Sequence, residues 1–368
     1  MINKNDLTNE KKVTQGVLFA VMAIILAFVL VLLLVENEDI NFNFNKPVSD
    51  PGQIGDLIGG ISAPFIGLIG ALLTFLAFWI QYRFNEFQTE KMERTRIEGL
   101  FYEMLRIHRE NVSEITIKDT SKSRRAFISM FKEFKFCYYT LIEVYDRYKI
   151  NNPEFTLDDK KLVNISFITF FFGIGESSED IVNSLLTNYP EIFKNAYYER
   201  LFEFQEKWKC LDKELKSSRK QTEVDTKLSG ISPQARTITI SVKNRVDYSF
   251  TAGYKPFSGH LARLGHYFRH LFQTVYFIDK QDISDKHDYV RILRAQISAH
   301  EQLLLYYNSL TTMGDRWWTE GFIKKYGMVK NIPLPLADVG PKPTELLGIE
   351  YFEWSEITNS IKGQDIFL

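Results

Sequence analysis

Two long uncharged runs of apolar residues near the N-terminus restrict the fold more than any other feature of the chain. Residues 13–35 and residues 57–80 contain 23 and 24 positions without a charged side chain. At 1.5 Å per residue, a helix over either run exceeds the ~30 Å hydrocarbon core of a bilayer. The first run is too long for a secretory signal peptide, and no small-residue cleavage site follows it. The sequence therefore predicts a two-helix transmembrane hairpin within residues 1–85.

Basic residues around the two runs predict the orientation of this hairpin. They flank the outer ends of both runs, at Lys4, Lys11 and Lys12 and again at Arg83, Lys91, Arg94 and Arg96. The linking loop, residues 36–52, contains a single basic residue, Lys46. Lys and Arg near membrane segments are retained in the cytoplasm. We therefore expect two spans with the N- and C-termini both cytoplasmic.

The second run has features that a simple anchor does not need. Small residues at three- and four-residue spacing allow another helix to approach closely in lipid, either a second copy of the chain or only the first span. An acidic residue at its outer edge could line a polar route or cap the N-terminus of its own helix. The residues assigned to this membrane output are Asp56, Gly59, Gly60, Pro64, Gly67 and Gly70.

The charge of the soluble part is nearly balanced. Residues 86–368 contain 40 basic and 39 acidic side chains, so no bulk positive charge drives strong nucleic-acid binding, although a local patch remains open. Cys137 and Cys210 fit neither a metal-site spacing nor a dense disulfide framework, and we expect both to be reduced, buried thiols. The sequence contains no Walker loop, dinucleotide fingerprint or nucleophile elbow, and no cofactor is expected.

Beyond the membrane region, the residue patterns predict mostly helices. Residues 86–216 combine a polar stalk with amphipathic helices, and the apolar run 165–174 favours a buried helix because it is too short to span a bilayer. Residues 217–257 lose the helical period, and 237–242 and 245–250 alternate like two short strands. The predicted fold class is a membrane-anchored all-α protein with a small β-hairpin or ordered loop insertion. Residues 258–368 contain the polar-layer helices and the C-terminal tail.

Residues 259–308 contain most of the histidines of the chain and predict two consecutive helices. In the first helix Leu264, Phe268, Leu271 and Val275 recur every three or four positions, as on one apolar face. Polar residues follow a second face of each helix, so that a hairpin of the two would enclose a buried polar layer, which has to be hydrogen-bonded internally. The predicted members of this layer are Arg263, His266, Arg269, His270, Arg291, Arg294, His300 and Glu301.

The same region carries a family resemblance. The run GHLARLGHYFRHLFQTVYFID at 259–279, followed by 291–308, resembles the putative phage abortive infection family of bacteria (AbiC type). The likeness extends to LFYEMLRIHRENV at 100–112, to GDLIGGISAP at 55–64 and to FIKKYGMVKNIP at 322–333. The resemblance implies a membrane-anchored protein of phage defence at the bacterial inner membrane. It supplies no established catalytic residues.

The polar layer allows three chemical interpretations. His266 and His270 have metal-ligand spacing, but no Glu adjoins the first and no Cys is near, so no metal is expected. The pairs Arg294 with His300 and Arg263 with His270 have the spacing of HEPN-type ribonucleases, in which Arg would bind a phosphate and His would act as general acid or base. About one such match is expected from composition alone. The third interpretation is a structural or ligand-sensing network.

These observations lead to three functional hypotheses. The favoured one is an antiphage effector whose cytosolic domain responds to a phage-derived trigger or a co-encoded defence protein. Its membrane segments, assembled as a homo-oligomer in lipid, would then disrupt or depolarise the inner membrane. The alternatives are a membrane-tethered HEPN-like ribonuclease and a non-toxic membrane adaptor. An enzymatic function is less favoured than a non-enzymatic one.

Overall fold

The computed structural model describes residues 15–16, 18–29, 51–117, 121–225, 236–241 and 247–353. The chain divides into two compact units, residues 1–98 and 99–368. Most described residues are helical, which confirms the predicted helical class, and of two small two-stranded antiparallel sheets the one within residues 237–251 confirms the predicted β insertion. The predicted two-helix membrane hairpin is not confirmed, because one long apolar helix is described rather than a clear pair.

The first unit contains helix α1, Leu18–Val29, and the beginning of helix α2, Pro51–Glu114. Within the described residues, one helical segment, 62–114, is long and apolar enough to cross a membrane, and none of its apolar window is buried. The described part of α1 is shorter than a span, and Phe28 on it lies 5.3 Å from Phe65 on α2, measured between ring centroids. The ends of the predicted first span and most of the 36–52 loop lie outside the described residues.

Beyond its apolar part, α2 carries ion pairs between residues three or four positions apart. Arg83 lies 2.7 Å from Glu86, and Arg94 lies 3.1 Å from Glu98. Such exposed pairs each contribute roughly 0.3–0.5 kcal/mol to a helix. They suit a solvated helical stretch, as the polar composition of this segment predicts.

The second unit is built around helix α3. The helices that follow α2 are α3 (Arg124–Asn151), α4 (Asp159–Phe172), α5 (Glu176–Leu185), α6 (Glu191–Asp225), α7 (Leu261–Lys280), α8 (Lys286–Arg294), α9 (Ala299–Ser309), α10 (Arg316–Thr319), α11 (Phe322–Tyr326) and α12 (Pro343–Leu347), with 3₁₀ turns at Leu334–Leu336 and Ile349–Tyr351. Helix α3 packs against α4, α6 and α9. Its Phe134 ring lies 5.4 Å from Phe167 on α4 and 4.8 Å from Tyr307 on α9. The apolar run in α4 is buried, as predicted.

Two short antiparallel strand pairs complete this unit. Strand β1 (Thr116–Ile117) pairs with β2 (Ser121–Lys122), and β3 (Thr237–Ile240) pairs with β4 (Tyr248–Thr251). The second pair overlaps the two predicted strand segments: β3 lies within 237–242, whereas β4 begins later than residue 245 and ends one residue beyond 250. Helix α6 continues to Asp225, so the irregular segment begins later than the predicted residue 217. Residues 242–246, which join the two strands, lie outside the described residues.

The two cysteines differ in their surroundings. Cys137 is buried in the middle of α3, and burial raises the pKa of its thiol. Cys210 is exposed on α6. The expectation of two buried thiols is therefore wrong for Cys210, which occupies a solvent-facing position of an amphipathic helix.

Candidate functional site

The segment predicted to hold two helices holds three. The apolar face of α7 is as predicted, since Leu264, Phe268, Leu271 and Val275 are all buried. The second predicted helix is divided into α8 and α9 between Ala295 and Ser298. The division has a local cause: the Ser298 side chain caps α9, and the Glu301 side chain reaches back to the Ser298 backbone N–H. This reciprocal capping box specifies a new helix start.

Three of the predicted layer residues lie on the surface. His266, Arg269 and Arg291 are exposed. Arg291 forms a surface ion pair with Asp288 at 3.0 Å. Among the described residues, no group of three or more His, Cys, Asp or Glu side chains could hold a metal ion. Although His266 and His270 are four positions apart, the His266 ring is exposed to solvent and the His270 ring is half-buried beside the core.

Glu301 is fully buried and joins α9 to α7. The Ser298 hydroxyl donates to its Oε1 at 2.6 Å, and the Tyr267 hydroxyl donates to its Oε2 at 3.0 Å. The Arg124 guanidinium lies 3.8 Å from Oε1. Burial raises the pKa of Glu301, although these hydrogen bonds and Arg124 act in the opposite direction. The carboxylate fixes how α7, α9 and the start of α3 meet.

His108 on α2 adds a buried side chain that the predicted layer does not include. It is 1% exposed, and its ring lies 6.3 Å from His270 in a nearly parallel arrangement and 5.5 Å from Tyr267. Burial lowers the pKa of His108 to about 4, and burial also lowers that of His270. No described residue hydrogen-bonds to either ring nitrogen of His108 or to Nδ1 of His270. The histidine pair is therefore neutral at pH 7 and has unused hydrogen-bonding capacity.

Arg263 and His270, one candidate ribonuclease pair, have different neighbours. The Arg263 Nε donates to the Thr116 carbonyl at 3.0 Å, and its guanidinium also donates to the Gly259 carbonyl at 3.3 Å. The His270 ring instead faces His108. The two side chains are thus held by separate parts of the unit rather than by each other.

Arg294 and His300, the second candidate pair, are also held separately. The Arg294 guanidinium donates to the carbonyls of Tyr326 and Gly327 at 3.2 and 3.4 Å. His300 packs edge-on against Phe131, with 6.0 Å between ring centroids, and burial lowers its pKa. The arginine therefore stabilises the turn after α11, where Gly327 has a positive φ of 63°.

A second buried carboxylate, Glu133 on α3, organises the chain just before α7. It is 0% exposed and accepts hydrogen bonds from the Tyr254 hydroxyl and from the Phe257 backbone N–H, the latter at 2.7 Å. His260 Nε2 lies 3.1 Å from Glu133 Oε2, and His260 is 2% exposed. Burial and the adjacent carboxylate raise the pKa of Tyr254. This network was missed in the sequence because its members are more than 120 positions apart.

The backbone at the start of α7 is locked against the end of α4. The His260 N–H donates to the Phe171 carbonyl at 2.8 Å, and the Ile174 N–H donates to the Phe257 carbonyl at 3.0 Å. Gly173 and Gly259 face each other here with φ of 86° and 82°. A Cβ on Gly259 would lie 2.3 Å from the Phe172 carbonyl oxygen. Only glycine allows both the backbone conformation and this close approach.

This locked segment borders a cleft. The cleft has a volume of about 170 Å³, and the residues that line it are Ile117, Tyr254, Lys255, Ser258, Gly259, His260 and Arg263. It opens beside the first turn of α7. Arg263 is therefore the one member of the predicted polar layer that lines this cleft.

Comparison with known proteins agrees with the sequence resemblance. Residues 259–335 match the model of a family described as putative phage abortive infection protein. This confirms the family assignment for the segment that contains α7 to α11. No curated protein and no solved structure matches the chain. The matched segment includes Gly259, His260, Arg263 and Glu301.

Proposed function

Taking residues 259–335 as a member of the phage abortive infection family, we propose that this protein is an antiphage effector of the bacterial inner membrane. Its second unit is the cytosolic sensor of a phage-derived trigger or a co-encoded defence protein. Its first unit, with two spans and both termini cytoplasmic, is the output, which disrupts or depolarises the membrane as a homo-oligomer. The role in abortive infection follows from the family match, and the membrane mechanism is our inference.

The observation that carries the membrane output is the exposed apolar surface of α2. Large side chains such as Ile66, Phe75 and Phe78 are 60–67% exposed, although burying each would stabilise the protein by roughly 1.5–3 kcal/mol. Lipid is the environment in which this surface is stable. The α2 glycines provide a second reason, since no described atom outside the adjoining helix backbone lies within 4 Å of a Cβ built on Gly59, Gly67 or Gly70. The described part of α1 leaves this stripe open to another helix.

The partly unsatisfied polar residues of the second unit support a sensing role. Buried polar atoms without partners cost about 1–3 kcal/mol each, so His108 and His270 favour any state that supplies partners for them. Suppose that α2 and α7 have two arrangements, one with these histidines unpartnered and one with them hydrogen-bonded. A trigger that binds one arrangement more tightly would increase the population of that arrangement. We propose that the residues of the predicted layer take part in sensing as separate groups and not as one connected network: Arg263, His266, Arg269, His270, Arg291, Arg294, His300 and Glu301.

One experiment distinguishes this function from the ribonuclease and the adaptor. Membrane potential and total RNA are followed together in phage-infected cells that carry the protein. We expect depolarisation with RNA still intact. RNA decay that precedes depolarisation would support the membrane-tethered ribonuclease, and protection with neither change would support the adaptor.

Two substitutions sharpen the comparison with a ribonuclease. Arg294→Lys should impair defence, because a single ammonium replaces a guanidinium that holds two carbonyls. His300→Gln should be milder, since an amide packs in a similar volume and still forms hydrogen bonds. General acid–base chemistry requires the reverse order, because Gln does not exchange a proton at neutral pH. RNA decay abolished by His300→Gln in a folded protein would contradict the proposal.

A further inference from the structure

The cleft beside the start of α7 has a cationic lining. Among the described residues that line it, the charged side chains are Lys255 and Arg263, and none is a carboxylate. Glu133 is 0% exposed, and its oxygens accept hydrogen bonds from Tyr254, Phe257 and His260, while Lys209 and also Lys255 lower the pKa of Glu206 on α6. The positive end of the α7 macrodipole adds to this potential. The cleft therefore favours an anionic ligand.

His260 adds a directional requirement to this charge. Its Nε2 lies 3.1 Å from Oε2 of Glu133, which also accepts from the Tyr254 hydroxyl, so we assign a ring proton to Nε2. In this tautomer Nδ1 is an acceptor. This Nδ1 is buried, lacks a partner among the described residues, and belongs to a side chain that lines the cleft. A ligand that satisfies it has to donate a hydrogen bond.

The size and the walls of the cleft limit the ligand further. A volume of about 170 Å³ exceeds the roughly 30 Å³ that one water molecule occupies in the liquid. Ile117 and the Tyr254 ring supply apolar walls, and the exposed Ser258 hydroxyl lies at the rim. The cleft suits a phosphate group with a short attached moiety.

We propose that this cleft binds a small phosphate-bearing ligand, whose anionic oxygens meet Lys255 and Arg263 and whose hydroxyl or N–H group donates to His260 Nδ1. Its role as the trigger of defence rests on the proposed function, whereas the binding itself does not. The phosphate can belong to a soluble nucleotide or to a glycerophosphate head group. Both kinds of ligand carry an anionic phosphate group and a hydroxyl or N–H group that donates a hydrogen bond.

The test uses the full-length protein in detergent micelles and equilibrium dialysis at pH 7. The probes are inorganic phosphate, sulfate, adenosine monophosphate and glycerol 3-phosphate. Phosphate should bind at least about tenfold more tightly than sulfate, because sulfate at this pH has no proton to donate to Nδ1. The ester that binds more tightly identifies the source as a nucleotide or a head group.

Three variants locate the binding in the cleft. Lys255→Gln should weaken phosphate binding about tenfold, since it removes a charge-assisted hydrogen bond from an exposed side chain that the fold does not need. Lys324→Gln, at a lysine of α11 that is also exposed, is the matched control and should bind as the parent does. His260→Gln should remove the preference for phosphate over sulfate. If His260→Gln fails to fold, the comparison of Lys255→Gln with Lys324→Gln still tests whether phosphate binds in the cleft.

Two results would overturn the proposal: no saturable phosphate binding by the parent protein, or sulfate binding as tight as phosphate binding. Phage protection by the same variants separates this inference from the proposed function. A parent protein that depolarises infected cells but binds no phosphate refutes the ligand and leaves the effector standing. Phosphate binding with full protection by Lys255→Gln keeps the site and refutes its role as the trigger.

Discussion

At the scale of residues, the second unit contains two buried carboxylates that each accept several hydrogen bonds. It also contains two buried histidines with ring nitrogens that lack a hydrogen-bond partner among the described residues. Glu133 and Glu301 each accept several hydrogen bonds, which offsets the cost of removing a carboxylate from water. His108 and His260 keep ring nitrogens without partners in the described part of the chain. A buried group with an unused acceptor costs more than the same group fully bonded. The histidines, rather than the acids, are therefore the residues at which a ligand or a proton changes the stability of the unit.

Protonation of His108 should make the protein less stable in mild acid. The pKa of His108 is about 4 in the fold, and its ordinary value is 6.5. Below pH 6.5 the unfolded chain therefore takes up a proton that the folded chain does not, and stability falls until pH 4, by up to about 3 kcal/mol. Thermal unfolding in detergent should show the parent losing stability between pH 7 and pH 5 more steeply than His108→Leu.

The control for this prediction is His266→Leu, which removes an exposed histidine from the neighbouring helix. It should keep the pH dependence of the parent. Parallel stability curves for the parent and His108→Leu would contradict the prediction. They would show that His108 gains a partner in solution.

At the scale of elements, the start of α7 depends on the end of α4. Three features act at this junction: two backbone hydrogen bonds, a pair of glycines with positive φ, and the Glu133 carboxylate that holds His260 and Phe257. Phe257 itself has a φ of 58°, which is uncommon for a residue with a side chain. The surrounding contacts hold it there. The cleft is positioned by this junction rather than by α7 alone.

Replacing one of the facing glycines should loosen the junction. Gly259→Ala introduces both an unfavourable positive φ and a Cβ 2.3 Å from a carbonyl oxygen. Gly321→Ala is the matched control, because Gly321 has a φ of 73° but no described atom within 4 Å of the added Cβ. We expect a loss of about 1 kcal/mol for the control and more than twice that for Gly259→Ala. Equal shifts in the urea midpoint would show that the close contact relaxes freely.

The sequence predicted the elements well and their long-range partners poorly. Periodicity identified the buried face of α7, because an apolar stripe is a local property of the chain. The break between α8 and α9 was missed, although Ser298 and Glu301 have capping-box spacing and so provided a local signal. Glu133 and His108 gave no comparable signal for their contacts with residues near 260 and 270. Their role appears only when α2, α3 and α7 pack together.

At the scale of the whole molecule, a helix with an exposed apolar surface and a unit with nearly balanced charge share one chain. The balance of 40 basic against 39 acidic side chains in residues 86–368 gives no general attraction to nucleic acid, so recognition has to come from local sites. A cytosolic cue is converted into a membrane event, in our proposal, by association of the α2 helices.

Gly67→Leu tests whether that association is needed. Leucine is apolar and a good helix former, so an anchor should tolerate it, whereas helices that approach closely in lipid should not. No described atom outside the adjoining helix backbone lies within 4 Å of a Cβ at Gly67, and the change should leave the monomer intact. We expect normal abundance in the membrane but loss of cross-linked oligomers and of phage protection. Ile66→Leu is the control, since Ile66 already presents a large exposed side chain.

A flexible insertion tests whether α2 transmits the response. Helix α2 runs without interruption from Pro51 to Glu114. A Gly-Ser segment inserted between Tyr82 and Arg96 breaks helical continuity without removing any residue. Membrane localisation should persist while protection is lost. If this variant and Gly67→Leu both protect as well as the parent, the membrane part is only a tether.

The facing glycines Gly173 and Gly259 affect how residues 259–335 could be exchanged between related proteins. The family segment begins at residue 259, yet the backbone atoms that receive it belong to α4, and its first histidine is held by α3. A chimera that imports residues 259–335 alone therefore lacks the α3 and α4 residues that hold the start of α7 in place. Recombination should succeed when Gly173 and Glu133 travel with the segment or already stand opposite it in the recipient. The smallest exchangeable module is thus longer than the stretch by which the family is recognised.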